Sequence, residues 1–391
     1  MNRVHRLAVM PTILACAVIL CSAVGASALT PFAYVTNANS LTGNSVSIIN
    51  TATNAGVTTV PVGESPLGAA ATPSGAFVYV ANSLSDNVSV ISTSTNTVVA
   101  TIPVGDAPAS IAITPNGATA YVANEADDSV SVINTASNTV STTIPAGQFP
   151  YGVAISPDGS KVYVTSGFTS TTETVVIIST ASNTVTDSIS MSASLSGIAI
   201  TPNGAFAYVA RGLDNGVSII NTSNNAVTGP VSVGDNPHGI AITPDGVLVL
   251  VTNEYNETVS MISTATNTVV GTVHVGEGPH GIAITPDGSR AYVANGDSED
   301  ISVIYIASKS NVGTLPGEGQ PWGIAITPPI EGQATPTPPA DTEKVSNLLP
   351  NTVPPVHHRL RCRKGYKKRK VKGKRKCVKV RRKHRHQHSR H

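Results

Sequence analysis

The decapeptide PHGIAITPDG occurs twice unchanged, at residues 237–246 and 279–288, an offset of 42. No other feature limits the possible folds so strongly, because self-similarity at about 40–45 residues marks an array of identical supersecondary units. The glycine of Pro-His-Gly has counterparts at Gly68, Ser110, Gly152, Gly197, Gly239, Gly281 and Gly323, spaced 42 apart except for one step of 45. The chain therefore holds seven copies, one with a three-residue insertion near residues 169–174.

One copy shows what is repeated. GIAIT (239–243) is a β-branched run ended by Pro244-Asp245-Gly246. Proline presets φ for a turn and glycine supplies positive φ, so a tight connection is predicted there. VLVLVTN (247–253), VSMIS (259–263) and TVVGTVHVG (268–276) are the next strands, separated by the polar loop EYNE and the turn TATN (264–267). Four short strands in sequence predict an antiparallel meander, and nothing in the repeat has the length or period of a helix. A single such sheet cannot bury both faces, so the copies must pack on each other. The prediction is an all-β fold, a seven-bladed β-propeller of four-stranded antiparallel blades. A β-solenoid is the other repeat architecture considered, and its coils use shorter repeats with fewer turns.

The motifs Tyr34-Val35-Thr36-Asn37, Tyr79-Val80-Ala81-Asn82, Tyr121-Val122-Ala123-Asn124 and Tyr292-Val293-Ala294-Asn295 are each followed by a VSVI-type strand, an NTV segment and P-x-G-IAITP-(D/N)-G. In this the chain resembles the YVTN family of β-propellers, which occurs in exported and surface-layer-like proteins of bacteria and archaea. The likeness covers roughly residues 31–330. Departures are Thr165-Ser166, Arg211-Gly212, Leu250 at a tyrosine position, and a last turn, Pro328-Pro329, without Asp-Gly.

The repeat begins in mid-blade. Residues 32–37 align with a second strand, and residues 323–327, at the far end, with a first strand. Closing the ring by pairing these N- and C-terminal strands is therefore predicted, and it removes two sheet edges that would invite aggregation.

The domains expected are a signal peptide at 1–28, the propeller at 29–330, a Pro/Thr-rich linker at 331–356 and a basic tail at 357–391. Arg3 and Arg6, an apolar run and Ala26-Ser27-Ala28 are the marks of a cleaved secretory signal. Lipoprotein processing at Cys16 and a retained anchor are the other readings. Proline-rich composition makes the linker an extended spacer.

Charge is split along the chain. Residues 29–355 carry 5 Lys and Arg against all 23 acids, a balance of −18, while the tail carries 18 Lys and Arg and no acid. A disordered polycationic tail is expected, able to bind anionic cell-wall polymers, lipid head groups or extracellular DNA through counterion release. Folding back onto the acidic propeller, or service as a solubilising segment, are the competing readings. Cys362 and Cys377 are the tail's two cysteines, and in an exported chain a disulfide between them is expected. Closing that loop would add about 3 kcal/mol in the chain-entropy model.

No GxSxG, HExxH, P-loop or CxxC motif is present, so no catalytic residue, metal ligand or cofactor is assigned. The residue between Pro and Gly in successive repeats is Leu67, Ala109, Tyr151, Ser196, His238, His280 and Trp322. This position varies within a monotonous repeat, and it holds the chain's only tryptophan and two of the three histidines of the body (the third is His274). Equivalent positions of a closed repeat share a radius and a height, so Tyr151, His238, His280 and Trp322 are predicted to ring one channel mouth. Asp235 and Glu277, two residues before their prolines, are placed on the same rim. Three readings stand for this ring: a plug of the channel, a binding mouth for a protein or glycan ligand, or a catalytic or metal centre on His238 and His280, although two imidazoles do not by themselves establish a metal site. The YVTN-position asparagines are read as turn-formers, and Asp127-Asp128 and Glu299-Asp300 as solvated loop charges rather than Ca²⁺ ligands. The function expected is an exported, monomeric binding or scaffold module and no enzyme. The alternative is a propeller enzyme of lactonase or lyase type, which the resemblance permits.

Overall fold

The structure, a computed structural model, describes residues 30–38, 44–167, 173–192 and 194–329, and the backbone of two tail strands, Tyr366–Val371 and Lys374–Lys379. The chain divides into two units, residues 1–336 and 337–391. The expected signal peptide, the linker and Cys362, and with it the expected disulfide to Cys377, lie outside the described residues.

The described residues of the first unit form seven four-stranded antiparallel sheets. In the blade whose sequence was read above, Pro237–Ile242, Leu248–Asn253, Thr258–Ser263 and Thr268–His274 pair in chain order. The two middle strands are buried along almost their whole length and the outer strand is largely exposed. This explains the unbroken apolar runs of the middle strands, whose two faces both pack against neighbouring blades. Leu250, Val259 and Met261 of this blade meet Ala291, Val293 and Ile304 of the next in one apolar cluster.

The seventh blade joins the two ends. Pro321–Ile326 pairs with Phe32–Asn37, which continues through Ser45–Asn50 to Ala55–Pro61. Tyr34 stands opposite Ala325 and Val35 opposite Ile324. The Phe32 N–H donates to Thr327 Oγ1 at 3.0 Å, and the Thr327 N–H returns to Phe32 O at 2.9 Å.

Between blades, buried tyrosines of the YVTN-type strands reach across to asparagines of the next outer hairpin. Tyr34 donates to Asn96 at 3.2 Å, Tyr79 to Asn138 at 2.7 Å, Tyr121 to Asn183 at 2.7 Å and Tyr208 to Asn267 at 2.8 Å. Tyr292 donates to Asn54 at 2.5 Å, across the join made by ring closure. Each acceptor asparagine has φ between 52° and 57°, a conformation that asparagine tolerates better than most residues. At two seams this clasp is missing. Leu250 replaces one tyrosine, and at the other seam the buried Tyr163 hydroxyl and Asn225 Oδ1 do not meet and have no partner among the described residues, while Asn225 Nδ2 donates to Asp187.

The turn-forming reading of Asn37, Asn82, Asn124, Asn253 and Asn295 is corrected. None has left-handed φ, and all five are fully buried at strand ends. Their Nδ2 groups cross to the third strand, for example from Asn253 to Thr258 and Ser260 hydroxyls, both at 3.0 Å. The physical reason is packing on both faces, which turns a strand-end amide inward to the serine and threonine hydroxyls beside it. The loop carboxylates bond locally. Asp128 accepts from the Phe149 N–H at 2.9 Å, and Asp300 from Asn295 Nδ2 at 2.7 Å.

In the second unit, Tyr366–Val371 pairs antiparallel with Lys374–Lys379. Part of the tail expected to be disordered is thus a two-stranded hairpin. A two-residue separation is the commonest hairpin connection, and Tyr366, Val371 and Val378 are strand formers.

Candidate functional site

The innermost strand of each blade begins at the Pro-x-Gly segment, and these seven strands line the central channel. Close approach favours glycine there in six of the seven blades, Ser110 being the exception. A Cβ on Gly239 would lie 2.1 Å from the His280 carbonyl oxygen, and one on Gly323 2.1 Å from that of Leu67. Six of the seven mouth residues thus rest their backbone against the glycine of the preceding blade; the exception is Tyr151, whose preceding blade has Ser110. Hydroxyls satisfy several of these carbonyls. Thr252 Oγ1 donates to His280 O at 2.8 Å, Thr36 Oγ1 to Leu67 O at 2.7 Å and Ser196 Oγ to His238 O at 3.2 Å. The mouth side chains thus project from fixed backbone.

Four of them meet. His280 stacks on Trp322 with ring centroids 3.7 Å apart and planes at 21°. His238 stands edge-on to His280 at 5.0 Å, to Trp322 at 5.8 Å and to Tyr151 at 5.5 Å. The Tyr151 hydroxyl and His238 Nε2 are 3.1 Å apart. Trp322 also hydrogen-bonds Tyr151. An indole N–H only donates, so the arrangement that satisfies all three runs from Trp322 Nε1–H to the Tyr151 oxygen and from the Tyr151 O–H to His238 Nε2. Tyr151 reaches His238 past Ser196, a small residue on the intervening blade. On the other side of the axis the small or aliphatic Ala109 and Leu67 leave space, and a cavity of about 220 Å³ remains, lined by Leu67, Ala109, Tyr151, His238, Trp322 and the strand residues beneath them.

Burial governs the ionisation of this cluster. His238 and Tyr151 line the channel's cavity and are half-buried, with protein packed densely around their rings. Burial, with His280 adding to it, pushes the His238 imidazole down to about 3, and burial pushes His280 down to about 4. Burial raises the Tyr151 phenol, the Trp322 hydrogen bond opposes this, and the Glu125 and Glu254 carboxylates add to the rise. At neutral pH both imidazoles are uncharged. His280 Nδ1 is buried with no partner.

An acid dependence follows. The unfolded chain protonates these histidines near pH 6.5, and the folded ring does so only near 3 to 4. The unfolded state binds more protons in that window, so their contribution is complete above pH 6.5 and is lost as pH falls toward 3. Melting temperature is expected to drop by on the order of 5 °C or more over this range. A His238→Asn, His280→Gln variant should show a flatter profile in thermal unfolding across pH.

Asp235 and Glu277 are exposed on the loops that precede their prolines, and neither lines the cavity. Asp235 accepts from Asn215 Nδ2 at 2.9 Å and Asn256 Nδ2 at 3.2 Å. The carboxylates that act on Tyr151 are Glu125 and Glu254, which the sequence reading did not single out. Each directly follows a YVTN-position asparagine, where the other repeats have Ala, Ser or Gly, and that contrast was the available signal. Among the described residues no three His, Cys, Asp or Glu side chains form a metal-binding group.

A family model described as a YNCE-like beta-propeller matches residues 183–310. No curated protein matches the chain. Among solved structures, hydrazine synthase from Kuenenia stuttgartiensis is 27% identical with a TM-score of 0.64, over 68% of this chain and 90% of that one. A functionally unknown protein from Desulfotomaculum acetoxidans is 22% identical with a TM-score of 0.67, over 76% of this chain and 99% of that one. A candidate 6-phosphogluconolactonase from Bacteroides fragilis is 17% identical with a TM-score of 0.65, over 76% of this chain and 98% of that one. With the seven four-stranded sheets, these likenesses make the chain a seven-bladed β-propeller that is YNCE-like over residues 183–310.

Proposed function

We propose that this protein is an exported binding or scaffold propeller of the cell surface, with a ligand site at its channel mouth and a basic tail that attaches it to anionic polymers. The observation that carries this reading is the meeting of Tyr151, His238, His280 and Trp322 from four blades, with Tyr151, His238 and Trp322 lining one cavity and His280 stacked behind Trp322. Rings held by a closed scaffold lose little entropy on binding, and tryptophan and tyrosine are common anchors of recognition. The ligand would be a protein segment, glycan or small molecule that reaches the mouth. The competing class, an enzyme of lactonase or lyase type, draws support from fold alone. Among the described residues, no lysine or arginine lines the cavity to neutralise a phosphorylated substrate.

The tail's 18 cationic residues and no acid suit cell-wall polymers, anionic lipid head groups or extracellular DNA. Outward binding is favoured over folding back, because surface pairs with the propeller are weak and fixing the tail costs chain entropy. Retention of the intact chain and of a version ending at residue 330 would be compared on an anionic cell-wall fraction across a salt series. The intact chain should bind at low salt, with affinity falling about 10³-fold between 50 and 200 mM if 6 or more charges are engaged. Equal retention of the two forms would remove the attachment role. The mouth is tested separately through Trp322 emission, which should change saturably with a soluble ligand. Failure across cationic, neutral and anionic compounds would remove the site.

A further inference from the structure

The residue after the last position of each YVTN-type motif is Ala38, Ser83, Glu125, Gly167, Gly212, Glu254 or Gly296. Backbone bonds fasten this position to the mouth loop. The Glu125 N–H donates to Ala107 O at 2.9 Å and the Glu254 N–H to Asn236 O at 3.1 Å. Ala107 and Asn236 immediately precede Pro108-Ala109 and Pro237-His238, so each glutamate stands beside its own blade's mouth residue. The equivalent glycine shows how near this is, since a Cβ on Gly296 would lie 3.0 Å from the His280 ring. Asn236 Nδ2 holds the Glu254 carboxylate at 2.6 Å. Glu125, next to the small Ala109, is half-buried, and burial raises its carboxyl above the usual range.

We propose that the mouth selects a small organic cation, an ammonium or amine with an apolar body, seated among the Trp322 and Tyr151 rings with Glu125 and Glu254 as its counter-charge. This rests on the mouth being a ligand site and adds the class of ligand. Among the described residues, the cavity has aromatic and aliphatic walls and no lysine or arginine, and Glu125 and Glu254 stand just outside its lining. Partly buried carboxylates attract a cation more strongly than exposed ones, because less water screens them. Aromatic faces add cation–π attraction. The acidic body, at a balance of −18 over residues 29–355, would steer cations toward it and repel anions. A neutral ligand gains nothing from the two glutamates.

The test uses the full chain and follows Trp322 emission during titration with choline, with its neutral carbon isostere 3,3-dimethylbutan-1-ol, and with phosphate at matched ionic strength. Choline is expected to saturate, and the neutral isostere to bind about tenfold or more weakly. Glu125→Gln combined with Glu254→Gln should weaken choline about tenfold and leave the melting temperature unchanged. Equal affinity for the neutral isostere, or a double variant that binds choline as well as the parent, overturns the cation assignment. Saturation by the neutral compound or phosphate alone would do so while keeping the mouth as a site. No saturation by any of the three would overturn it, and with it the reading of the mouth as a site for small ligands.

Discussion

Removal of residues 321–329 is expected to abolish cooperative folding of the propeller. That segment supplies the first strand of the closing blade, pairing with residues 33–37, and carries Trp322 at the mouth. Without it, Phe32–Asn37 becomes an edge strand, although all six of its residues are buried in the closed ring. The buried Thr36 hydroxyl also loses the Gly323 N–H that donates to it at 2.8 Å. Such edges pair with other chains, so aggregation or loss of a single melting transition should result. A control that ends at residue 330 keeps the strand and should melt like the intact chain. If the shorter form melts at the same temperature as this control, the closure described here is not what holds the ring together.

The second large effect concerns the channel wall. Gly239→Ala would place a methyl carbon 2.1 Å from the His280 carbonyl oxygen, an approach that only movement of one inner strand away from the next can relieve. Because φ at Gly239 is not positive, the cost comes from crowding and not from backbone strain. Overpacking of this kind costs about 1–3 kcal/mol, which for a domain of this size lowers the melting temperature by roughly 2–10 °C. Gly56 and Gly313, on outer strands, have nothing within 4 Å of the added carbon. Alanine at those two positions should be neutral or stabilise by up to about 1 kcal/mol. The same melting temperature for Gly239→Ala as for these two controls would contradict the close packing of mouth residues on the preceding blade.

The seven-fold spacing made the blades, their strand order and the closing pair legible in the sequence, because each follows from alignment of a repeat with itself. The meeting of Tyr151, His238, His280 and Trp322 was legible for the same reason, since alignment fixes radius and height. What alignment leaves open is side-chain direction. Asn253 and its equivalents look like turn residues, and only the packing of both strand faces turns their amides onto neighbouring hydroxyls. The residues with left-handed φ that do shape turns, such as Asn96 and Asn138, accept from tyrosines about 60 positions earlier in the chain. Glu125 and Glu254 escaped notice because they sit at the end of a different strand, and backbone bonds alone bring them to the mouth. In the tail, the density of charge obscured strand formers that pair across a two-residue gap.

Four rings from four blades meet at the channel mouth, with both imidazoles kept neutral. Trp322 is the chain's only tryptophan and stacks on His280, so its emission reports that contact without interference. The direct measurement is Trp322 emission against pH, in the intact chain and in His280→Gln, with circular dichroism recorded alongside to mark where folding is lost. Charging the stacked imidazole should quench the indole with a midpoint near pH 4, far below 6.5, and the step should vanish in His280→Gln. A midpoint near pH 6.5, or a step that survives the substitution, would contradict the cluster and the ring that builds it.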